Sequence, residues 1–268
     1  MKYFTKDEFR EKLIDVGVVS GDILFVHSSL LSIGLLKGVQ IDRIPEEILD
    51  VILDVLGPEG TLAVPSFTFE FCKGVPFSKT DTPSSGMGVF SEVVRTHPES
   101  VRSSHPTQSI AAIGADSVEL CKADTKSAFA AGGCFEKMIT MNGKILFLGA
   151  GIQSTALIHY VEEKLKVPYR YWKNFTGRYI DADAGVDEQR TYKMYVRNLK
   201  LNPILDLQPV EDRLNNQNQC NIANIGMGEI KLIKATNFVD TAQDLLENDP
   251  YSLLKNRIEI RKNGNTDG

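Results

Sequence analysis

The sequence predicts an α/β fold of three layers, α/β/α, with a mainly parallel central sheet plus an antiparallel hairpin in the C-terminal half. Three observations carry that prediction. Ile23-Leu24-Phe25-Val26, Thr61-Leu62-Ala63-Val64-Pro65 and Lys144-Ile145-Leu146-Phe147-Leu148 are short, nearly continuous apolar runs, the mark of strands buried on both faces. Helical patterns lie between such runs, and alternating strands and helices build a sheet covered on both sides. Beyond Pro168 the texture changes. Tyr169-Arg170-Tyr171-Trp172 and Thr191-Tyr192-Lys193-Met194-Tyr195-Val196 alternate on either side of Asp183-Ala184-Gly185, as an antiparallel pair around a turn does.

Each element has its own signal. Thr5 followed by Glu8 is a capping box opening a helix over residues 6–16. Gly21-Asp22 turns the chain into the first buried strand. A helix follows over residues 45–56, with Pro45 in its first turn and Gly57-Pro58 ending it. After the second strand, residues 66–87 form a connection too long to be an ordinary loop, which favours a functional role. Residues 88–97 read as a helix and Ile110-Ala111-Ala112-Ile113 as another short strand. Gly149-Ala150-Gly151 ends the strand at residues 144–148. Ser154 or Thr155 is positioned to cap the next helix, which Val167-Pro168 stops. Residues 229–246 suggest a last strand and helix, and the polar chain after Arg257 should fray. No repeat or low-complexity linker divides the chain, so residues 1–268 are expected to form a single domain.

Composition narrows the classes of function. A formal net charge of -5 disfavours a nucleic-acid surface. No run of 18 apolar residues predicts a membrane span, and the first residues lack an apolar signal core, so a cytoplasmic protein is expected. Cys72, Cys121, Cys134 and Cys220 are too scattered for a zinc knuckle or a redox pair, and the histidines are too dispersed to specify a metal site. There is no G-x-S-x-G elbow, no H-E-x-x-H and no phosphate-binding G-x-x-x-x-G-K-[ST].

Ligands in such sheets gather at the carboxyl ends of the strands. Three motifs lie there: His27-Ser28-Ser29-Leu30, Pro65-Ser66-Phe67-Thr68, and the glycine turn leading to His159-Tyr160-Val161-Glu162-Glu163. On a helix, Glu162 and Glu163 both fall near the face of His159. Either could hold one imidazole nitrogen and leave the other as a proton acceptor. Hydroxyls and N–H groups around Ser28 and Ser29 suit a phosphate or a carbonyl oxygen. Gly86-Met87-Gly88 before a helix permits close backbone approach. Arg102-Ser103-Ser104-His105-Pro106 offers a cation, hydroxyls and an imidazole.

Taken in order, these motifs resemble the aminoglycoside 3-N-acetyltransferase family, antibiotic N-acetyltransferases distinct from the GNAT fold. Gly60-Thr61-Leu62, Thr82-Pro83, Ser109, Leu148 through Gly151, Thr155, Pro168-Tyr169-Arg170, Gly226-Met227-Gly228 and Phe238-Val239-Asp240 extend the match across about residues 4–248. The resemblance implies acetyl-CoA-dependent transfer to an amine of an aminoglycoside or related amino sugar, with no metal. His159 and Glu162 look like the family's catalytic dyad. Ser28, Ser29, Leu30, Gly86, Met87, Gly88, Arg102, Ser103 and His105 look like its cofactor-binding parts. A homodimer is admitted by the resemblance but not required.

The chain also departs from the family. Ile152-Gln153-Ser154 replaces a polar run, and the hairpin is aromatic and basic where a polycationic acceptor would prefer carboxylates. Glu70, Asp181, Asp183, Glu211 and Asp212 are the carboxylates expected to serve an acceptor, with Glu70, Glu211 and Asp212 foremost. A nucleotide-linked amino sugar of surface polysaccharide biosynthesis is the alternative acceptor. A non-catalytic CoA binder, and a hydrolase acting through Ser28, are the readings from other classes.

Overall fold

The computed structural model describes residues 2–264. Its centre is a sheet of seven strands: β2 (Ile23–Ser28), β4 (Thr61–Pro65), β6 (Val101–Arg102), β7 (Ile110–Gly114), β8 (Lys144–Leu148), β11 (Cys220–Ile225) and β12 (Gly228–Lys234), in the order β11-β12-β8-β2-β4-β7-β6. The short β1 (Tyr3–Phe4) and β3 (Leu35–Leu36) pair with each other beside it. A separate three-stranded sheet joins β5 (Phe77–Ser78) to the long hairpin of β9 (Arg170–Asp181) and β10 (Val186–Arg197).

The three central strands, β8, β2 and β4, run parallel, and these are the three continuous apolar runs. The flanking pairs β4–β7, β7–β6, β8–β12 and β12–β11 are antiparallel. The parallel part is therefore the centre of the sheet, where helices cover both faces and every strand residue from Ile23 to Val26 is buried.

Two apolar clusters fill the two sides. On one side pack α1 (Lys6–Asp15), α3 (Ile44–Leu56) and α4 (Val89–Thr96), around Phe9, Leu13, Ile48, Ile52 and Phe90. The short α2 (Leu30–Ile33) belongs to that side through Ile33. On the other pack α5 (Ser117–Cys121), α6 (Cys134–Thr140), α7 (Leu157–Leu165), α8 (Gln208–Asn216) and α9 (Ala235–Asn248), around Phe135, Leu157, Val161, Leu214 and Phe238. Alternate residues of each strand serve alternate sides: Leu24 and Val26 face one cluster, Ile23 and Phe25 the other.

The capping box at Thr5 forms as expected, with Glu8 N–H donating to the Thr5 hydroxyl at 3.1 Å. The cap expected before α7 does not. A turn of 3₁₀ helix, Ile152–Ser154, intervenes, Ser154 turns back on the Gly151 carbonyl, and Ala156 stands at the N-cap with no side-chain bond. Leu157 N–H reaches the Thr155 hydroxyl only at 3.4 Å. The chain after Arg257 also differs from expectation. Arg257–Gly264 forms α10 because Ile260 finds the core, while residues 265–268 lie outside those described. No helix among the described residues is long and apolar enough to cross a membrane.

The long connection at residues 66–87 is not free. It forms a 3₁₀ turn at Glu70–Lys73 and then β5, which adds itself parallel to β9. Phe71, Phe77, Tyr179 and Tyr192 make a small core beneath the hairpin. The loop and the hairpin are thus one packed unit.

Two glycines show where the fold depends on a missing side chain. Gly226, at φ +56°, would place a methyl group 1.9 Å from the Ile33 carbonyl oxygen, whereas Gly74, at φ +85°, has nothing within 4 Å of that position. Gly74→Ala should cost only the left-handed backbone strain, about 1–2 kcal/mol. Gly226→Ala adds a main-chain clash and should lower the thermal midpoint clearly more. Equal midpoints for the two variants would show that the turn at Gly226 relaxes freely.

Candidate active site

Strand β8 ends at Leu148, and Gly149-Ala150-Gly151 leads the chain to α7. His159 sits in the first turns of that helix, and Glu162 lies one turn on, on the same face. Their side chains meet: His159 Nδ1 is 2.7 Å from Glu162 Oε2. Glu163 points elsewhere and accepts a hydrogen bond from the Ser127 hydroxyl at 2.6 Å. The choice left open between the two carboxylates is decided in favour of Glu162.

Glu162 is wholly buried. Burial pushes its carboxyl pKa up, but the His159 hydrogen bond and the charges of His159 and Arg170 outweigh it, and the net direction is downward. Glu162 is therefore ionised at neutral pH. An ionised carboxylate only accepts, so the shared proton belongs to Nδ1 and the lone pair to Nε2. Arg170, the first residue of β9, brings Nε to 2.8 Å from the same oxygen. Its N–H is not aimed along that line, so the contact is an ion pair. Arg170 Nη2 also comes within 3.2 Å of Nδ1, but a protonated Nδ1 cannot accept from it. Arg170 is anchored independently, through Nη1 to the Tyr195 carbonyl at 3.1 Å.

His159 is about one-third exposed and opens into a cleft of about 730 Å³. Phe129 packs edge-on against its ring at 5.8 Å. The hairpin contributes Arg170, Tyr171, Lys173 and Tyr195 to its lining, together with Phe69 and Gln108. This arrangement can hold a small molecule against an oriented imidazole whose Nε2 accepts a proton.

Ser28, Leu148 and Gly149 meet at the carboxyl edge of the sheet, where Ser28 and Gly149 bridge and Ser29 N–H donates to the Leu148 carbonyl at 2.8 Å. Gly88, at φ +86°, lies against the Ser28 carbonyl. It is the N-cap of α4, without a side-chain capping bond, so the first N–H groups of that helix are left for another acceptor. Ser28, Ser29 and Gly88 thus meet at this edge, and Gly86 precedes Gly88 by two residues. Leu30 and Met87 pack partly into the core instead. None of these six lines the His159 cleft.

Other expected site residues are occupied structurally. Arg102 is buried and spends its donors inside the protein: Nε on the Ser109 hydroxyl at 3.0 Å, Nη2 on the Ser66 carbonyl at 2.8 Å, and Nη1 on the carbonyls of Lys79 and Thr82. It clamps the long connection rather than offering a free cation. Ser103 is buried and its hydroxyl accepts from Ile110 N–H at 2.9 Å. His105 is buried, with Nδ1 accepting from Gln108 N–H at 3.2 Å. The carboxylates expected to serve an acceptor do not line the cleft either. Glu70 pairs with Lys73 at 2.7 Å, Glu211 is buried against Lys231, and Asp212 accepts from the Gln208 amide at 2.9 Å. Asp181 is committed to Lys79 at 3.0 Å. Cys134 is buried, and burial pushes its thiol up to about 12, while Cys121 moves in the same direction. Neither is a thiolate. Among the described residues no group of three or more His, Cys, Asp or Glu side chains could hold a metal.

Sequence reasoning did not assign Arg170, Lys173, Tyr195 and Arg197 to the cleft. The alternation across the hairpin was legible, but which strand edge faces His159 depends on a 12-residue register running from Arg170 opposite Arg197 to Asp181 opposite Val186.

A carboxylate that fixes one nitrogen of a histidine at the mouth of a cleft is the arrangement that general-base chemistry requires. Comparison with known proteins then supplies the family. The family profile described as aminoglycoside 3-N-acetyltransferase matches residues 25–247, and the chain belongs to that family of acyltransferases. The SPbeta prophage-derived aminoglycoside N(3')-acetyltransferase-like protein YokD of Bacillus subtilis (strain 168) is 26% identical over 275 residues, covering 94% of this chain and 96% of that one. Aminoglycoside N(3)-acetyltransferase III of Salmonella sp is 28% identical over 193 residues, 64% of each chain. Among solved structures, AAC-IIIb in a binary complex with CoASH superposes with a TM-score of 0.79 at 21% identity, covering 92% of this chain and 97% of that one.

Two buried histidines give the protein an acid-sensitive stability. Burial lowers the pKa of His27 from 6.5 to about 3 and that of His105 from 6.5 to about 4. As pH falls through this range the unfolded chain takes up protons that the folded chain refuses. The stabilisation is complete above pH 6.5 and is lost progressively below it, by up to about 1.4 kcal/mol per pH unit for each histidine. Urea unfolding at successive pH values should show this slope, and His27→Gln should reduce it. An unchanged slope would mean that His27 is not held neutral.

Proposed function

We propose that this protein transfers an acetyl group from acetyl-CoA to a primary amine of an amino sugar by direct attack, with His159 as general base and Glu162 as its orienting partner. The observation that carries the reading is the 2.7 Å contact between His159 Nδ1 and the buried, ionised Glu162, in a chain of this family.

Chemistry dictates the rest. Bound acetyl-CoA would supply the acyl thioester. The residues fit it: the Ser28 hydroxyl and the open N-terminus of α4 behind Gly88 suit a phosphate-rich ligand. The CoASH complex of AAC-IIIb supports the same assignment by likeness of fold. An ammonium cannot attack, so the acceptor must reach the thioester as a neutral amine. His159 Nε2 takes the proton as the C–N bond forms and the C–S bond breaks. The same imidazolium can return that proton to the departing thiolate. Glu162 holds the ring in the reactive tautomer and stabilises its charge, and Arg170 keeps Glu162 ionised through the cycle. Transfer needs no covalent enzyme intermediate, which agrees with Cys121 and Cys134 being protonated.

Thiol release from acetyl-CoA should depend strictly on an added amine; cleavage without amine would point to hydrolysis instead. His159→Ala should retain the fold by circular dichroism and lose about 10²–10⁴-fold in kcat. Glu162→Gln should lose less, and Glu163→Gln little. Undiminished turnover in His159→Ala sinks the assignment of the base.

A further inference from the structure

The charge of the His159 cleft bears on which amine it accepts. Arg170, Lys173 and Arg197 line it, and Glu162 is the one carboxylate in that lining among the described residues. Glu162 is fully buried and already contacted by His159 and Arg170, so it offers nothing to a ligand cation. Lys173 and Arg197 are exposed, and no carboxylate among the described residues lies within ion-pair distance of either. Lys193 adds a further cation on the same hairpin, its ammonium 4.1 Å from the Trp172 ring centre. Between the charges the walls are aromatic, with Phe69, Tyr171 and Phe175.

A polyamine entering such a cleft meets repulsion from each cation and finds no free carboxylate. A ligand with one amine and one anionic group meets the reverse: the anion is held by Lys173 and Arg197, while the neutral amine reaches Nε2. Like-charge exclusion and opposite-charge attraction then select the same ligand. We propose that the acceptor is a monoamine whose carrier bears an anionic group, a phosphate or a carboxylate, bound by Lys173 and Arg197. This rests on the reading of the cleft as the acceptor site of an acetyl transfer. The six residues gathered at or near the carboxyl edge of β2 and the start of α4 do not line the cleft, which leaves its cations for the acceptor rather than for the phosphates of CoA.

The test compares four amines with acetyl-CoA: glucosamine, glucosamine 6-phosphate, muramic acid and kanamycin. The two anionic sugars should exceed glucosamine by about tenfold or more in kcat/KM at low salt, with the advantage shrinking at high salt, and kanamycin should fall below glucosamine. The phosphate and the carboxylate arms show which anion the cleft prefers. The double variant Lys173→Glu, Arg197→Glu should raise KM for the anionic sugars and leave KM for acetyl-CoA unchanged. A rise confined to the acetyl-CoA KM would assign these cations to the cosubstrate and overturn the proposal. Calorimetric binding of the same four probes to the enzyme with CoA reads the preference without turnover. Tighter binding of kanamycin, or no binding of either anionic sugar, also overturns it. If no amine is acetylated but an anionic sugar binds best, the acetyl-transfer reading fails and the assignment of the cleft stands.

Discussion

The site hangs on one buried carboxylate. Glu162 sits in the apolar underside of α7, with no exposure to solvent, and is nonetheless ionised. An isolated charge there would be untenable. It persists because a histidine from its own helix and an arginine from the following strand converge on one oxygen. That convergence couples α7 to the hairpin, alongside the Tyr195 hydroxyl's bond to the Val167 carbonyl. It sets the rotation of α7 and the starting position of the hairpin. Removing one partner of such a buried group typically costs about 3–5 kcal/mol, because the charge left behind is uncompensated. The buried Tyr169 hydroxyl stands close to the same carboxylate. Burial, the negative charge of Glu162 and a hydrogen bond to it all push the Tyr169 hydroxyl away from ionisation.

The sheet supplies the geometry in which this pair is useful. Parallel strands β2, β4 and β8 end on the same edge, so the turns after them are neighbours in space though far apart in sequence. The Ser28 turn, the Gly149 turn and the start of α4 meet there, and α7 leaves from the same place. The long connection after β4 crosses to the hairpin and is pinned by Arg102. Burial opposes the Arg102 charge and lowers its pKa to about 10, which still leaves it protonated at neutral pH.

Much of this was legible in the sequence, and the rest fails for identifiable reasons. The central strands, the capping box at Thr5 and the hairpin turn at residues 182–185 announce themselves through local pattern, because local physics forms them. The histidine and its carboxylate were visible as a one-turn spacing, but the choice of Glu162 over Glu163 turns on which side of α7 faces the sheet. The roles of Arg102, Glu211 and Asp212 were not legible. A charged residue in a polar segment looks the same whether it awaits a ligand or is bound to a main-chain carbonyl, and only tertiary contacts distinguish the two. The two edge strands, β6 and β11, were missed for a related reason. Cys220–Ile225 carries two asparagines and stands at the edge of the sheet, where a strand need not be continuously apolar.

The hairpin is held together by main-chain hydrogen bonds over twelve residue pairs. Its ladder does not depend on which side chains project from it. Positions such as 173 and 197 can therefore change identity in evolution without moving the strands, whereas Arg170 on the same strand cannot, because it also neutralises Glu162. Under the proposed function, substrate range and catalytic competence fall to different residues of a single element. On that reading, a lineage of this fold can explore new acceptors by altering the exposed positions of one ribbon while His159 and Glu162 stay constant.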